Sequence, residues 1–146
     1  MTKLIATFRI VTPMFLGGAN PTEQAELRVP SIKGALRFWW RALMWGKVTD
    51  IADLRRKEAE LFGSSDSDVG QSKVLLRLEK YLTSTQKVTE AWPQGEWKRY
   101  TGYGIRDKGE HCFLPANDWK LHITMARNLG DDAESFLNAL KLFGLA

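Results

Sequence analysis

The chain has one cysteine, two histidines and no apolar run long enough to cross a membrane. A lone thiol, Cys112, forms no internal disulfide, so cysteine usage gives no reason to place the chain in an oxidising compartment. Apolar runs stay well short of the ~18 residues that mark a transmembrane helix. The N-terminus, Met-Thr-Lys-Leu-Ile-Ala-Thr-Phe-Arg, alternates too early for a signal peptide. These absences predict a cytoplasmic chain with no membrane partner. His111, Cys112 and His122 are the only zinc donors besides carboxylates, and their spacing matches no structural zinc signature. No metal and no cofactor is expected. Gly17-Gly18 is followed by no Gly-Lys-Ser/Thr at phosphate-loop spacing.

The most informative absence is local. From Arg28 to Lys47 the chain carries no acidic residue, while Arg28, Lys33, Arg37, Arg41 and Lys47 are all basic. The whole chain has a net charge of only +4, so much of the excess is concentrated here. The same stretch holds Trp39, Trp40 and Trp45. Lys33, Arg37 and Arg41 follow i, i+4, i+8 spacing, which places all three on one face of a helix.

A helix over about 31–45 is expected. Ser31 reads as the N-cap, and Pro30 restricts Val29, so the helix should begin no earlier. At helical spacing Ile32, Leu36, Trp39 and Leu43 form the apolar face, with Ala35 and Ala42 beside it. Trp39 is therefore expected in the core. Trp40 and Met44 fall among or beside the cations, where Trp40 would serve as a stacking platform. Gly34 costs about 1 kcal/mol relative to alanine in a helix. It either admits a phosphate or backbone, or packs against a neighbouring strand. A basic face is ordinarily just a solvated face, and helical tryptophans are ordinarily core. The missing acidic partners weigh the other way, because solvated faces tend to mix charge signs. Cations beside aromatic rings are what a nucleic acid would require.

Elsewhere the pattern alternates strands and helices. Residues 3–12 alternate as a strand, with Leu4, Ala6, Phe8 and Ile10 on one face. Residues 13–30 form a long connection, of the kind that carries function or local structure of its own. Asp50 caps a second helix that ends at Phe62, with Gly63 as its stop. Residues 64–72 read as a polar turn, and 74–79 as a strand. Residues 83–96 read as a loop or hairpin, 97–105 as a strand with Tyr100 and Tyr103, and 106–110 as a turn. Trp119, Leu121, Ile123 and Met125 alternate with polar residues as another strand. Asp131-Asp132 opens a last helix, whose Ala133, Phe136, Leu137, Leu140 and Phe143 share a face.

Two runs carry a resemblance. Thr12-Pro13-Met14-Phe15-Leu16-Gly17-Gly18-Ala19-Asn20 is the first. The second runs from Glu26 through Pro30-Ser31-Ile32-Lys33-Gly34 and Arg37-Phe38-Trp39-Trp40-Arg41 to Leu43. Together they resemble the N-terminal signature of one RAMP family, the first-numbered subunit of the type III-B CRISPR Cmr complex. The shorter Pro-x-Ser-x-Lys-Gly core recurs across RAMP proteins, whereas the form with Arg-Phe-Trp-Trp-Arg is far more specific. The resemblance implies an α+β, ferredoxin-like (RRM-related) βαββαβ module and a non-catalytic, RNA-binding capping subunit. The implied partners are single-stranded guide or target RNA and the other RAMP subunits. The expected RNA contacts are Ser31, Lys33, Gly34, Arg37, Trp40 and Arg41, with loop contacts from Gly17, Gly18, Asn20 and Arg28.

The family usually carries two such modules, with a glycine- and arginine-bearing loop after the second helix. This sequence stops at Leu145-Ala146, about where that loop begins. Residues 1–146 are therefore expected to form a single module lacking its last strand, with a complementary C-terminal module as partner. Some RAMP relatives cleave RNA using histidine, so a metal-independent endonuclease acting through His111 or His122 is the alternative.

Overall fold

The computed structural model describes residues 1–17, 20, 23–65, 70–86, 111–127 and 129–145. The strand expected at 97–105, the turn at 106–110, most of the loop at 83–96 and the contact expected from Gly18 lie outside the described residues. The elements run β1 (Thr2–Arg9), β2 (Ala25–Leu27), α1 (Val29–Met44), a short 3-10 turn (Trp45–Lys47) and α2 (Ile51–Phe62). They continue with β3 (Val74–Leu78), β4 (Leu82–Ser84), β5 (Asp118–Met125) and α3 (Asp131–Leu145). A three-stranded sheet has the order β1-β5-β3, and β2 pairs antiparallel with β4. The strand before the last helix thus lies between the first strand and the strand that follows α2. That is the arrangement expected of a ferredoxin-like module.

The described chain divides into two compact units. One comprises Met1–Ala6, Val29–Arg77 and Leu121–Ala146, the other Thr7–Arg28 and Leu78–Lys120. In the first unit, α1 packs on α2 and α3. Its buried stripe is Ile32, Leu36 and Trp40. The sequence reading placed Trp39 in the core and Trp40 with the cations, and the structure reverses them. Trp40 is 0% exposed, and Trp39 is half-buried. The physical reason is the set of partners that α2 and α3 supply. The Trp40 indole N–H donates to Ser135 Oγ at 3.0 Å, and its ring meets Phe62 edge-on with centroids 6.0 Å apart. Phe62 in turn meets Phe136 of α3 at 6.1 Å. A buried indole needs such an acceptor for its N–H.

The start of α1 is also earlier than expected. Val29 is already helical, so Ser31 lies in the first turn and is not the N-cap. Pro30 is tolerated there, because the first turn leaves its N–H positions without intrahelical partners anyway. The helix α2 begins and ends as the sequence indicates. Asp50 accepts from Asp53 N at 2.8 Å, and Gly63 closes the helix at φ 80°. The positive φ suits glycine, and a Cβ there would lie 2.8 Å from Ser72 N.

In the second unit, Phe8 stacks on Trp119 at 4.4 Å, and Arg9 pairs with Asp118 at 2.8 Å. This guanidinium hydrogen bond holds the Asp118 carboxyl below its ordinary range. The long connection before α1 has structure of its own. It contains β2 and isolated bridges at Met14 and Gly17, and the Asn20 carbonyl accepts from Glu23 N and Gln24 N. Residues 83 and 84, which open the stretch read as a loop or hairpin, belong to β4 with Leu82, because the buried β2 gives them a pairing partner. Tyr81 adds a hydroxyl hydrogen bond to the buried Glu26 carboxylate.

Candidate nucleic-acid interface

The cations of α1 neighbour its buried stripe, one residue on from Ile32, Leu36 and Trp40. They are therefore carried to the margin of the core and not to its far side. There they meet α2. Lys33, Gly34, Arg37 and Arg41 line an open cavity of about 830 Å³ with Arg55 and Glu58 of α2. The segments around Gly63–Ser65 and Gly70–Ser72 complete the rim.

Each cation is held differently. Arg41 makes a two-pronged contact with Glu58, Nε to Oε2 at 2.6 Å and Nη2 to Oε1 at 2.7 Å. This hydrogen bonding raises the Arg41 pKa above its ordinary value. Arg37 Nη2 donates to Gly63 O at 2.6 Å, which satisfies a carbonyl at the negative end of α2. Its Nε is buried 3.5 Å from Glu58 Oε1 and makes no hydrogen bond among the described residues. Its guanidinium lies 5.6 Å from the Phe62 ring centroid, a cation–π contact. Lys33 is partly buried beside Arg37, and both burial and that neighbouring charge lower its pKa. Lys33 and the exposed Arg55 have no ion-pair partner among the described residues.

Glu58 is therefore the acidic partner that the α1 stretch lacks in sequence. It is 7% exposed and set between two arginines. Four cations still face one carboxylate among the described lining residues. Gly34 is exposed, and among the described residues nothing lies within 4 Å of where its Cβ would be. The reading that it packs against a neighbouring strand is thereby overturned.

The structure brings Lys33, Gly34, Arg37 and Arg41 together. Trp40 lies beneath them with no exposed surface, so it offers no face for stacking. Ser31 is in the same helix but does not line the cavity. Gly17, Asn20 and Arg28 belong to the second unit. Arg28 is half-buried there, and its Nε makes no hydrogen bond among the described residues. His111 and His122 fall in different units, and neither lines this cavity. Among the described residues no group of three or more His, Cys, Asp or Glu could hold a metal ion, and no helix is long and apolar enough to cross a membrane. Sequence reasoning missed Arg55 and Glu58. Their signal was available: 55, 58, 59 and 62 share one face of the helix that Asp50 and Gly63 delimit.

Comparison with known proteins bears on this arrangement. The model of the RAMP superfamily matches residues 7–143. A CRISPR system Cmr subunit, Cmr1-2 of Pyrococcus furiosus, is 34% identical over 80 residues, covering 54% of this chain and 41% of that protein. The crystal structure of Cmr1 from Pyrococcus furiosus in its apo form superposes with a TM-score of 0.60 at 21% identity. That match covers 97% of this chain and 44% of the other, so the chain spans less than half the length of both relatives. The likeness in structure extends the shared fold over nearly the whole chain. Taken with the family match across both units, it makes the chain a member of the RAMP superfamily, similar to its Cmr1-type members.

Proposed function

We propose that this chain is an RNA-binding, non-catalytic RAMP module of a type III-B CRISPR RNA-guided silencing complex. The observation that carries the reading is the charge imbalance of the α1–α2 cavity. Lys33 and Arg55 have no carboxylate partner among the described residues, and Arg37 keeps an unsatisfied Nε beside them. Gathering like charges without counterions costs stability, unless an anionic partner occupies the site. Backbone phosphates of single-stranded guide or target RNA are such a partner. The open space at Gly34 lets that backbone approach the helix. In this reading Arg28 and the connection around Gly17, Gly18 and Asn20 add contacts from the second unit. Other RAMP subunits of the complex and a complementary C-terminal module complete the assembly in the cytoplasm.

Labelled single-stranded RNA incubated with the chain, with and without EDTA, tests the reading. The expected result is retention without cleavage in both arms, with an affinity that falls as salt rises. Cleavage that is insensitive to EDTA and lost in His111→Ala or His122→Ala would establish the endonuclease reading instead.

A further inference from the structure

The tryptophan expected to stack on RNA is buried, yet α1 does present an aromatic ring to solvent. Phe38 is 62% exposed, as is Trp45 in the 3-10 turn that follows. An exposed ring taken alone means little, and its neighbours decide what it can do. At about 100° per residue, Gly34 falls between the stripe of Lys33, Arg37 and Arg41 on one side and Phe38 on the other. Phe38 lies one helical turn beyond Gly34, on the side away from the stripe. Among the described residues nothing lies within 4 Å of a Cβ built at Gly34. Phe38 also meets Trp39 at 5.3 Å with rings 80° apart, which steadies its ring without covering it. Cations, an open helical backbone and an exposed ring thus follow one another around a single helix.

We propose that Phe38 and the space beside Gly34 form a base-stacking subsite for single-stranded RNA whose phosphates occupy the adjoining cation stripe. The inference rests on the RNA-binding reading above and adds what the charges alone do not give. Phosphate contacts bind duplex, single strand and bare sugar-phosphate alike, whereas a stacking ring selects unpaired bases. An apolar protein surface would suit Phe38 taken alone. The adjoining uncompensated cations favour an occupant that is anionic along one side and flat and aromatic on the other.

The test measures binding of the whole chain to a labelled oligoadenylate and to an abasic ribose-phosphate oligomer of equal length. The native chain should bind the oligoadenylate about tenfold more tightly, the order expected for one stacked base. Phe38→Leu keeps the apolar bulk and removes the π face. It should lower oligoadenylate affinity to the abasic level and leave the salt dependence unchanged, while Phe38→Tyr retains native affinity. Equal native affinity for the two oligomers overturns the stacking subsite and leaves phosphate binding intact. Binding of neither oligomer overturns both readings. Undiminished oligoadenylate affinity in Phe38→Leu, accompanied by a change in oligomeric mass, assigns the face to protein contact and also overturns the proposal.

Discussion

The helix α2 bears two charged sides, and they behave differently. Arg56 bridges Asp53 at 2.6 Å and Glu60 at 2.7 Å, and Lys57 reaches Asp53 at 3.2 Å. These charges pair at i, i+3 and i, i+4 within one helix. Arg56, Lys57 and Glu60 also line a second cavity of the first unit, about 490 Å³, together with Lys47 and with Asp131, Asp132 and Glu134 of α3. Lys47, Arg56 and Lys57 share that lining with four carboxylates, so neither sign is in large excess. On the side toward α1, Arg55 and the α1 cations share only Glu58 among the described residues. Density of charge therefore does not mark a binding face. In the proposed reading the balance between signs does, and it is set by which helices meet.

Removing the shared support should break the comparison most severely. Trp40→Ala should cost about 3 to 5 kcal/mol, read as a loss of unfolding free energy in denaturant, because it empties the packing among α1, Phe62 and Phe136. Trp39→Ala should cost clearly less, and an equal cost would restore the original placement of the two rings. A smaller effect of opposite signs is expected from Glu58→Gln. Stability should fall by about 1 to 2 kcal/mol as Arg41 loses its partner, since its half-exposed guanidinium can turn to water. RNA affinity should rise and its salt dependence steepen by about one unit, as a freed cation joins the phosphate contacts. Titrations of RNA across several salt concentrations read both. The smallest change is expected at Gly34→Ala. Open space receives the methyl group, and the helix gains up to about 1 kcal/mol, seen as a higher melting temperature. RNA affinity should decrease modestly, and unaltered affinity would make the glycine incidental.

How far the sequence foretold this structure depended on where the partner of each residue lay. Asp50 and Gly63 were legible because capping is settled within one turn of chain. The strand bearing Trp119, Leu121, Ile123 and Met125 was legible because strict alternation has one meaning. Periodicity also placed Lys33, Arg37 and Arg41 together. It did not fix the centre of the buried stripe, because Trp39 and Trp40 differ by only one helical step. Ser135, Phe62 and Phe136 decided between them from two other helices. Glu58 escaped for the same reason: it lies 17 residues beyond the arginine it pairs with. The strand Leu82–Ser84 had no strong pattern of its own and takes its form from pairing with β2.

The central claim is that the α1–α2 cavity binds RNA through charge its own unit leaves uncompensated. The most direct measurement compares two double variants by the dependence of RNA affinity on salt. Lys33→Ala with Arg55→Ala removes unpaired cations from the basic cavity. Lys47→Ala with Arg56→Ala removes the same formal charge from the balanced one. The first pair should make the salt slope shallower by roughly one to two units and weaken binding on the order of tenfold near physiological salt. The second pair should leave the slope within error of the native chain. Equal losses from both pairs, or an unchanged slope in the first, would contradict it.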